Sequence, residues 1–354
     1  MSSNLNLSVN GKFSINDLAI GGSVESSTND TSIADNEISI ADKLARIKEE
    51  SGIIKIDDEA LRLNWEQLNK VSKIGHGNFG TVFEYKYKSA KGDHKMAVKI
   101  MALSGNEKMV NSVLMEMDVI RKSYNCSNIV NFLGYFITND SICICMERMT
   151  MCFDTLMTKL GKPIPEEIIG VMSVSVVQAL DYLKTVHIMH RDIKPSNILL
   201  NWTGHVKLCD FGISNILIES RTVTRQVGCS IYMAPERFDP RNLLYDIRSD
   251  VWSFGITLVE LAKGTHPYSQ FQDAIRECNL IETIRSGELP RLQPTDGDGF
   301  SLELCNLVKN CLERSPQDRP VSFKLLLEDP FIQHYGGQQM RMKDWLNEVM
   351  KQPY

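Results

Sequence analysis

Polar residues dominate the first forty positions of this chain, with Ser, Asn, Asp and Gly frequent and the apolar residues too scattered to build a face. Such a segment buries too little apolar surface to offset the entropy of ordering it, so disorder is expected there. Over 41–63, Leu44, Ile47, Ile53 and Ile54 stand at helix-like spacing, but Ser51-Gly52 interrupts them, which leaves a short helix or a plain linker. From Trp65 the pattern changes. Short β-rich runs at 71–74, 81–87 and 95–101, separated by Gly-containing turns, predict an antiparallel sheet. Val110, Val113, Leu114, Met117 and Ile120 then follow the i, i+3, i+4, i+7 rule, predicting an amphipathic helix over 107–121. Strand character returns at 129–137 and 141–148. After Pro165, helices are predicted at 166–186, 249–264, 273–286, 302–313 and 323–327. A β-rich part with one helix, followed by a helical part, gives an α+β protein of two lobes with a cleft between them. The expected division is a regulatory segment 1–64, a small lobe 65–149, a larger helical lobe 150–335 and a tail 336–354.

Composition narrows the function classes. A formal charge of −5 argues against a nucleic-acid protein, which needs concentrated positive charge. Nine cysteines, an odd number without CxxC pairs or zinc spacing, read as free thiols of a reducing compartment, most of them ordinary buried apolar residues. The first ten residues lack the charged and apolar regions of a secretory signal. The most apolar helical stretch, 168–183, is interrupted by Ser173, Ser175, Gln178 and Asp181 and is expected to be too short and too polar to span a bilayer. A cytoplasmic or nucleocytoplasmic protein without a membrane partner is the expectation.

Two short strings carry the chemistry. His190-Arg191-Asp192-Ile193-Lys194-Pro195-Ser196-Asn197 and, soon after, Asp210-Phe211-Gly212 contain a carboxylate able to take a hydroxyl proton, an amide and a second carboxylate. Such oxygen groups can accept a proton and bind a hard cation. Upstream, Gly75-His76-Gly77-Asn78-Phe79-Gly80-Thr81-Val82 supplies G-x-G-x-x-G-x-V. Three glycines at this spacing also fit a plain turn or a dinucleotide fingerprint. The fingerprint would open a helix, however, whereas the β-branched Thr81 and Val82 continue into a strand, so a hairpin lid over phosphates is expected. Met96-Ala97-Val98-Lys99 follows on the next strand.

In this order the strings resemble the eukaryotic protein kinases. The resemblance implies ATP and Mg2+ as cofactors, with Asp192 as catalytic base and Lys194 on the transferred phosphate. It implies Asn197 and Asp210 as metal ligands. The nucleotide would be bound by Ile74, Gly75, His76, Gly77, Asn78, Phe79, Gly80, Thr81, Val82 and Lys99. Glu116, rather than the neighbouring Asp118, is the implied partner of Lys99, with a solvated helix glutamate as the alternative. Met146 would flank the adenine, and the backbone of Glu147 to Met149 would bond it. Cys209, beside Asp210, is a candidate for electrophile labelling or a passive apolar filler. Ala234-Pro235-Glu236 would end the activation segment, with Glu236 paired to Arg319 of Asp318-Arg319-Pro320.

Over roughly 68–334 the chain resembles the mitogen-activated protein kinase kinases, which phosphorylate a Thr and a Tyr of a MAP kinase. The residues that carry this are Asp-Phe-Gly-Ile-Ser from Asp210, then Glu219-Ser220-Arg221-Thr222-Val223-Thr224 and 227–236. Ser220 and Thr224 occupy the family's paired phosphorylation positions, implying an upstream MAP kinase kinase kinase. Each phosphate adds about −1.5 to −2 charges, for which Arg191 is a natural cation. Phe136-Ile137-Thr138-Asn139, Pro163-Ile164-Pro165-Glu166 and 344–350 resemble the stress-responsive branch, especially activators of c-Jun N-terminal kinases, implying a stress-activated MAP kinase as substrate. Two departures stand out: only Lys12-Phe13-Ser14-Ile15 or 43–47 offers a thin version of the usual basic docking peptide, and 307–335 aligns with the docking site for upstream kinases but also reads as core helices. The competing readings are a serine/threonine kinase with other substrates and a scaffold that binds a MAP kinase without phosphorylating it.

Overall fold

The computed structural model describes residues 47–57, 59–77, 80–102, 125–210, 231–238, 246–271, 277–296 and 299–351. The chain divides into a sheet unit, which includes 132–148, and a helical unit that begins at Met149 and also takes in the segment before Phe132.

The sheet unit is a seven-stranded antiparallel sheet in the order β2-β1-β6-β7-β5-β4-β3. Its strands are β1 (Ile53–Ile56), β2 (Glu59–Arg62), β3 (Leu68–Gly77), β4 (Gly80–Ser89), β5 (Gly92–Ala102), β6 (Phe132–Ile137) and β7 (Ser141–Glu147). The runs read at 71–74, 81–87 and 95–101 lie on β3, β4 and β5, while those read at 129–137 and 141–148 are trimmed to β6 and β7. The helix expected over 107–121 falls outside the described residues.

One expectation is overturned. Part of the 41–63 segment, read as a short helix or linker, forms a helical turn at 47–50 and then the β1–β2 hairpin. Ile54 and Ile56 alternate onto the buried face, which is strand periodicity, while Asp57 adopts φ 48° to turn the chain. The hairpin lies against β6: Tyr135 donates its hydroxyl to the Ile47 carbonyl (2.9 Å), and the Ile137 amide donates to Ser51 Oγ (2.9 Å). Gly134, at φ 141°, makes the approach possible, because a Cβ there would lie 2.2 Å from the Ile53 carbonyl oxygen. Ile54, Ile56, Leu63 and Leu68 thereby join Val98, Phe136, Cys143 and Cys145 in one core, with Trp65 packed against it. Desolvation in that core pushes the Cys143 thiol up to about 12, as expected of an inert buried cysteine.

The helical unit contains α1 (Phe153–Leu160), α2 (Glu166–Thr185), α3 (Arg248–Lys263), α4 (Glu277–Ser286), α5 (Leu302–Cys311), α6 (Phe323–Leu327), α7 (Pro330–Tyr335) and α8 (Gln339–Lys351). A small sheet of β8 (Met151–Cys152), β9 (Ile198–Leu200) and β10 (Val206–Leu208) accompanies them. The helices start where short polar residues satisfy orphan amides: Ser301 Oγ accepts from the Leu304 amide, Ser322 Oγ from Leu325 and Asp329 from Phe331. At 20 residues, α2 is longer than the apolar stretch read from the sequence and is long enough to cross a membrane, contrary to that reading. Two thirds of its most apolar window (67%) is buried inside the protein. It packs on α6, α7, α8 and β10. Neither α8 nor α1 was read as an element from the sequence.

α3 organises the unit because every residue from Ser249 to Ala262 is buried. A helix enclosed on all sides must satisfy its polar side chains internally. Ser249 Oγ donates to Glu236 (2.8 Å), Ser253 Oγ to the Tyr232 carbonyl (2.8 Å) and Thr257 Oγ1 to the Ser253 carbonyl (2.8 Å). Glu260 accepts the Tyr232 hydroxyl at 2.5 Å. Glu236 is in turn held by Arg319, whose side chain is fully buried: Nη1 and Nη2 donate to the two carboxylate oxygens at 2.8 and 2.9 Å. The remaining Arg319 donors reach the Glu313, Arg248 and Arg314 carbonyls. Its guanidinium lies 5.0 Å from the Trp252 ring centre.

Splitting the Arg319–Glu236 pair strands a buried charge, so Arg319→Ala is expected to lower unfolding free energy by about 3–5 kcal/mol. Urea denaturation checks this, and a loss below 1 kcal/mol would sink it. Glu260 gives a pH prediction. Burial is the main cause that raises its carboxyl to about 7, helped by Asp154 and opposed by the Tyr232 hydroxyl. The native state therefore binds this proton more tightly than the unfolded chain, and the associated stability is lost as pH rises toward and through 7. Between pH 5 and pH 8, wild type is expected to lose on the order of 3 kcal/mol relative to Glu260→Gln. Parallel stability profiles for the two proteins would contradict it.

Candidate active site

On the sheet unit, the glycine string forms the hairpin expected of it. β3 runs into β4 with Gly77 opposite Gly80, His76 opposite Thr81 and Gly75 opposite Val82. His76 Nδ1 and Thr81 Oγ1 are 3.1 Å apart, bridging the two arms. Gly80 is required sterically: a Cβ there would lie 2.3 Å from the Ile100 carbonyl oxygen. Ile74 remains partly exposed, whereas Asn78 and Phe79 lie outside the described residues.

Register then places the remaining nucleotide candidates. Val82 is opposite Lys99 on β5, so Gly75, Val82 and Lys99 stand abreast on three adjoining strands. Lys99 is buried, only 3% exposed, an environment a lysine tolerates only with compensating interactions. Met146 and Glu147 pair with Ala97 and Met96. Next to this row, Arg148 Nε donates to Glu84 at 2.8 Å and holds that carboxyl below its ordinary range. Glu116 lies outside the described residues. Met149, where the chain passes from the sheet unit into the helical unit, is buried.

On the helical unit the catalytic string forms a loop fixed from beneath by α3. Asp250, buried, accepts the His190 amide on Oδ2 (2.9 Å) and the Arg191 amide on Oδ1 (2.7 Å). Desolvation pushes its carboxyl up, while His190 and the two amides oppose that shift. Arg191 is consequently held at φ 66°, a conformation non-glycine residues rarely adopt. Its carbonyl accepts from Arg237 Nη1 (3.1 Å).

His190 connects this loop to the next. Its Nδ1 accepts the Asp192 amide (3.3 Å), so Nε2 carries the proton and donates to the Cys209 carbonyl (3.1 Å). Complete burial lowers the imidazole pKa, in keeping with this neutral form. The Cys209 amide donates to the Asn197 carbonyl (3.0 Å), and β9 pairs with β10 between them. Asn197 and Asp210 therefore sit at the open end of one short hairpin. Asp210 also has positive φ, 54°.

At the centre, Asp192 Oδ2 accepts from Lys194 Nζ at 2.7 Å and from Asn197 Nδ2 at 2.9 Å. Asn197 Nδ2 also donates to the Asp192 carbonyl at 2.8 Å. Both amide hydrogens of Asn197 are thus engaged, and its carbonyl oxygen is the group with ligand character. With the Asp210 carboxylate this makes an oxygen-only donor pair, the chemistry that suits a hard divalent cation completed by phosphate oxygens. The structure brings Asp192, Lys194 and Asn197 together as read from the sequence, while Ser220 and Thr224 lie outside the described residues.

Sequence reasoning missed Asp250 and His190 as positioning groups. Asp250 was legible only as the start of a helix. The signal available was a charged residue opening an otherwise apolar run, which burial obliges to find donors.

Comparison with known proteins agrees with this geometry. Residues 68–332 match the protein kinase domain family. The chain is 47% identical over 309 residues to the dual specificity mitogen-activated protein kinase kinase mek-1 of Caenorhabditis elegans, covering 87% of this chain and 85% of that relative. It is 40% identical over 311 residues to human dual specificity mitogen-activated protein kinase kinase 7, covering 87% and 72% respectively. With Caenorhabditis elegans sek-1, a kinase kinase of the same description, identity is 36% over 310 residues, covering 85% and 90%. A buried lysine on β5, a carboxylate oriented by Lys194 and Asn197, and relatedness over most of both chains converge on one conclusion: the chain belongs to the dual specificity mitogen-activated protein kinase kinases of the protein kinase family.

Proposed function

We propose that this kinase, using ATP with Mg2+ as its divalent ion, phosphorylates a Thr and a Tyr in the activation segment of a stress-activated MAP kinase, after an upstream MAP kinase kinase kinase has phosphorylated its Ser220 and Thr224. The observation that carries the chemistry is the Asp192 carboxylate, oriented on one oxygen by Lys194 and Asn197. With Oδ2 so engaged, Oδ1 serves the acceptor hydroxyl. As the hydroxyl oxygen bonds to the γ-phosphorus, the bond from that phosphorus to the bridging oxygen breaks, Asp192 takes the hydroxyl proton and ADP departs.

Lys194 adds positive charge where the transferred phosphoryl accumulates negative charge. Lys99 and the backbone amides of the β3–β4 hairpin provide the sheet unit's phosphate contacts. A divalent ion held by Asn197 and Asp210 neutralises phosphate charge when bound. The stress-activated choice rests on 136–139, 163–166 and 344–350, and the switch on the spacing of Ser220 and Thr224 ahead of Ala234-Pro235-Glu236. A carboxylate, a lysine and an asparagine in working geometry disfavour the scaffold reading.

Mass spectrometry of a stress-activated MAP kinase incubated with phosphorylated enzyme, ATP and Mg2+ is expected to find phosphate on both Thr and Tyr. Lys99→Met and Asp192→Ala are each expected to lower that labelling at least ~100-fold. Phosphate on Thr alone would turn the conclusion toward an ordinary serine/threonine kinase. The doubly substituted Ser220→Ala/Thr224→Ala enzyme, treated with the upstream kinase, is expected to stay at its basal rate. Full activation of that variant would remove the switch from these two residues.

A further inference from the structure

The matched kinase domain ends at residue 332, yet α8 (Gln339–Lys351) follows as an ordered helix with Met342 and Leu346 fully buried. One of its supports is α2. Another is the turn joining β9 to β10. Gly204 at that apex has φ 83°, and a Cβ there would lie 2.8 Å from the Lys343 amide nitrogen and 3.0 Å from the Gln339 carbonyl oxygen. The helix backbone rests directly on the turn, and glycine is needed for both the conformation and the contact.

The turn is braced by its own hydrogen bonds. Asn201 Oδ1 accepts from the Thr203 amide (3.1 Å), the Thr203 hydroxyl (2.7 Å) and the His205 amide (3.0 Å). The Gly204 amide donates to the Asn201 carbonyl, and Thr203 Oγ1 lies 2.7 Å from His205 Nδ1. From this braced apex, two strands of three residues each run only ~10 Å to the open end, where Asn197 and Cys209-Asp210 stand. A shift of the apex is therefore carried to both residues assigned to the divalent ion.

We propose that α8 is a positioning element for the reaction: by seating its backbone on Gly204, it holds the β9–β10 hairpin so that Asn197 and Asp210 keep the spacing the divalent ion requires. This rests on the assignment of those two residues to the ion, and the experiment separates the two claims. Three full-length variants are compared. Gly204→Ala crowds the contact, Leu346→Ala loosens α8, and Leu326→Ala on α6 is a stability control that also packs against α2.

The first readout is amide hydrogen exchange over 198–208 in metal-free protein. Exchange is expected to be faster in Gly204→Ala and Leu346→Ala but unchanged in Leu326→Ala once matched for thermal midpoint. The second is the free Mg2+ concentration giving half-maximal phosphorylation, expected to rise at least about threefold in the first two variants only, since groups behind a metal site commonly set its affinity. Wild-type exchange in Gly204→Ala, or an equal change in the control, overturns the positioning role. Faster exchange with an unchanged Mg2+ midpoint overturns the coupling to the ion, and an unchanged midpoint in Asp210→Asn would show that the ion assignment itself fails. If Leu346→Ala does not fold, Gly204→Ala against the control decides alone.

Discussion

A carboxylate sealed inside the helical unit is the constraint on which the catalytic geometry depends. Asp250 could not remain buried without donors, and it receives consecutive backbone amides of the catalytic loop, those of His190 and Arg191. That requirement runs in both directions. The loop cannot relax without orphaning a buried carboxylate, at a cost of several kcal/mol. α3 cannot shift without moving the loop. Because α3 also receives Tyr232 and, through Ser249, the Glu236–Arg319 pair, one helix fixes the catalytic loop and the chain that follows residue 230.

The sheet unit is organised differently. Its chemistry is positioned by strand register, with no buried polar network comparable to that of α3 among its described residues. Gly75, Val82 and Lys99 stand abreast because β3, β4 and β5 pair in sequence, and a one-residue slip would turn Lys99 to the opposite face. The β1–β2 hairpin protects that register from the far side of the sheet. It covers the edge of β6 with paired backbone, and its apolar face completes the core under β5 and β7.

These two modes explain what could be read from the chain alone. The glycine hairpin, the β5 lysine and the His190 to Asn197 string are local in sequence: each occupies a few consecutive residues, and the first two follow from glycine and strand alternation, whereas the third is legible as a string although its backbone departs from ordinary φ preference at Arg191. The Asp250 contacts span about sixty residues of chain. They announce themselves only as a charge in an apolar helix, which is ambiguous until the fold supplies the partner. The β1–β2 hairpin was obscured because Ile53 and Ile54 are adjacent and apolar and fall into helix-like spacing with Leu44 and Ile47, while the alternation of Ile54 and Ile56 shows only once the strands pair. α8 was hidden by its composition, since a helix that buries two side chains fully on a neighbour looks like a polar tail until that neighbour is known.

His190 ties these observations together. Its ring accepts an amide on Nδ1 and donates on Nε2, a combination available only to the neutral Nε2–H form. Burial favours the same neutral form. Through that ring the backbone of Asp192 and the backbone beside Asp210 become parts of one hydrogen-bonded body, closed on the other side by the Cys209 amide and the Asn197 carbonyl. Left-handed backbone at Arg191 and Asp210 costs on the order of 1–3 kcal/mol each, and such strain persists only where surrounding bonds over-determine the conformation. At Arg191 the bond from its own amide to Asp250 is one such constraint, and next to Asp210 the Cys209 carbonyl and amide are bonded to His190 and Asn197. The two strained residues therefore flank the one body in which base and ion ligands are held, and the strain is located where relaxation would separate them.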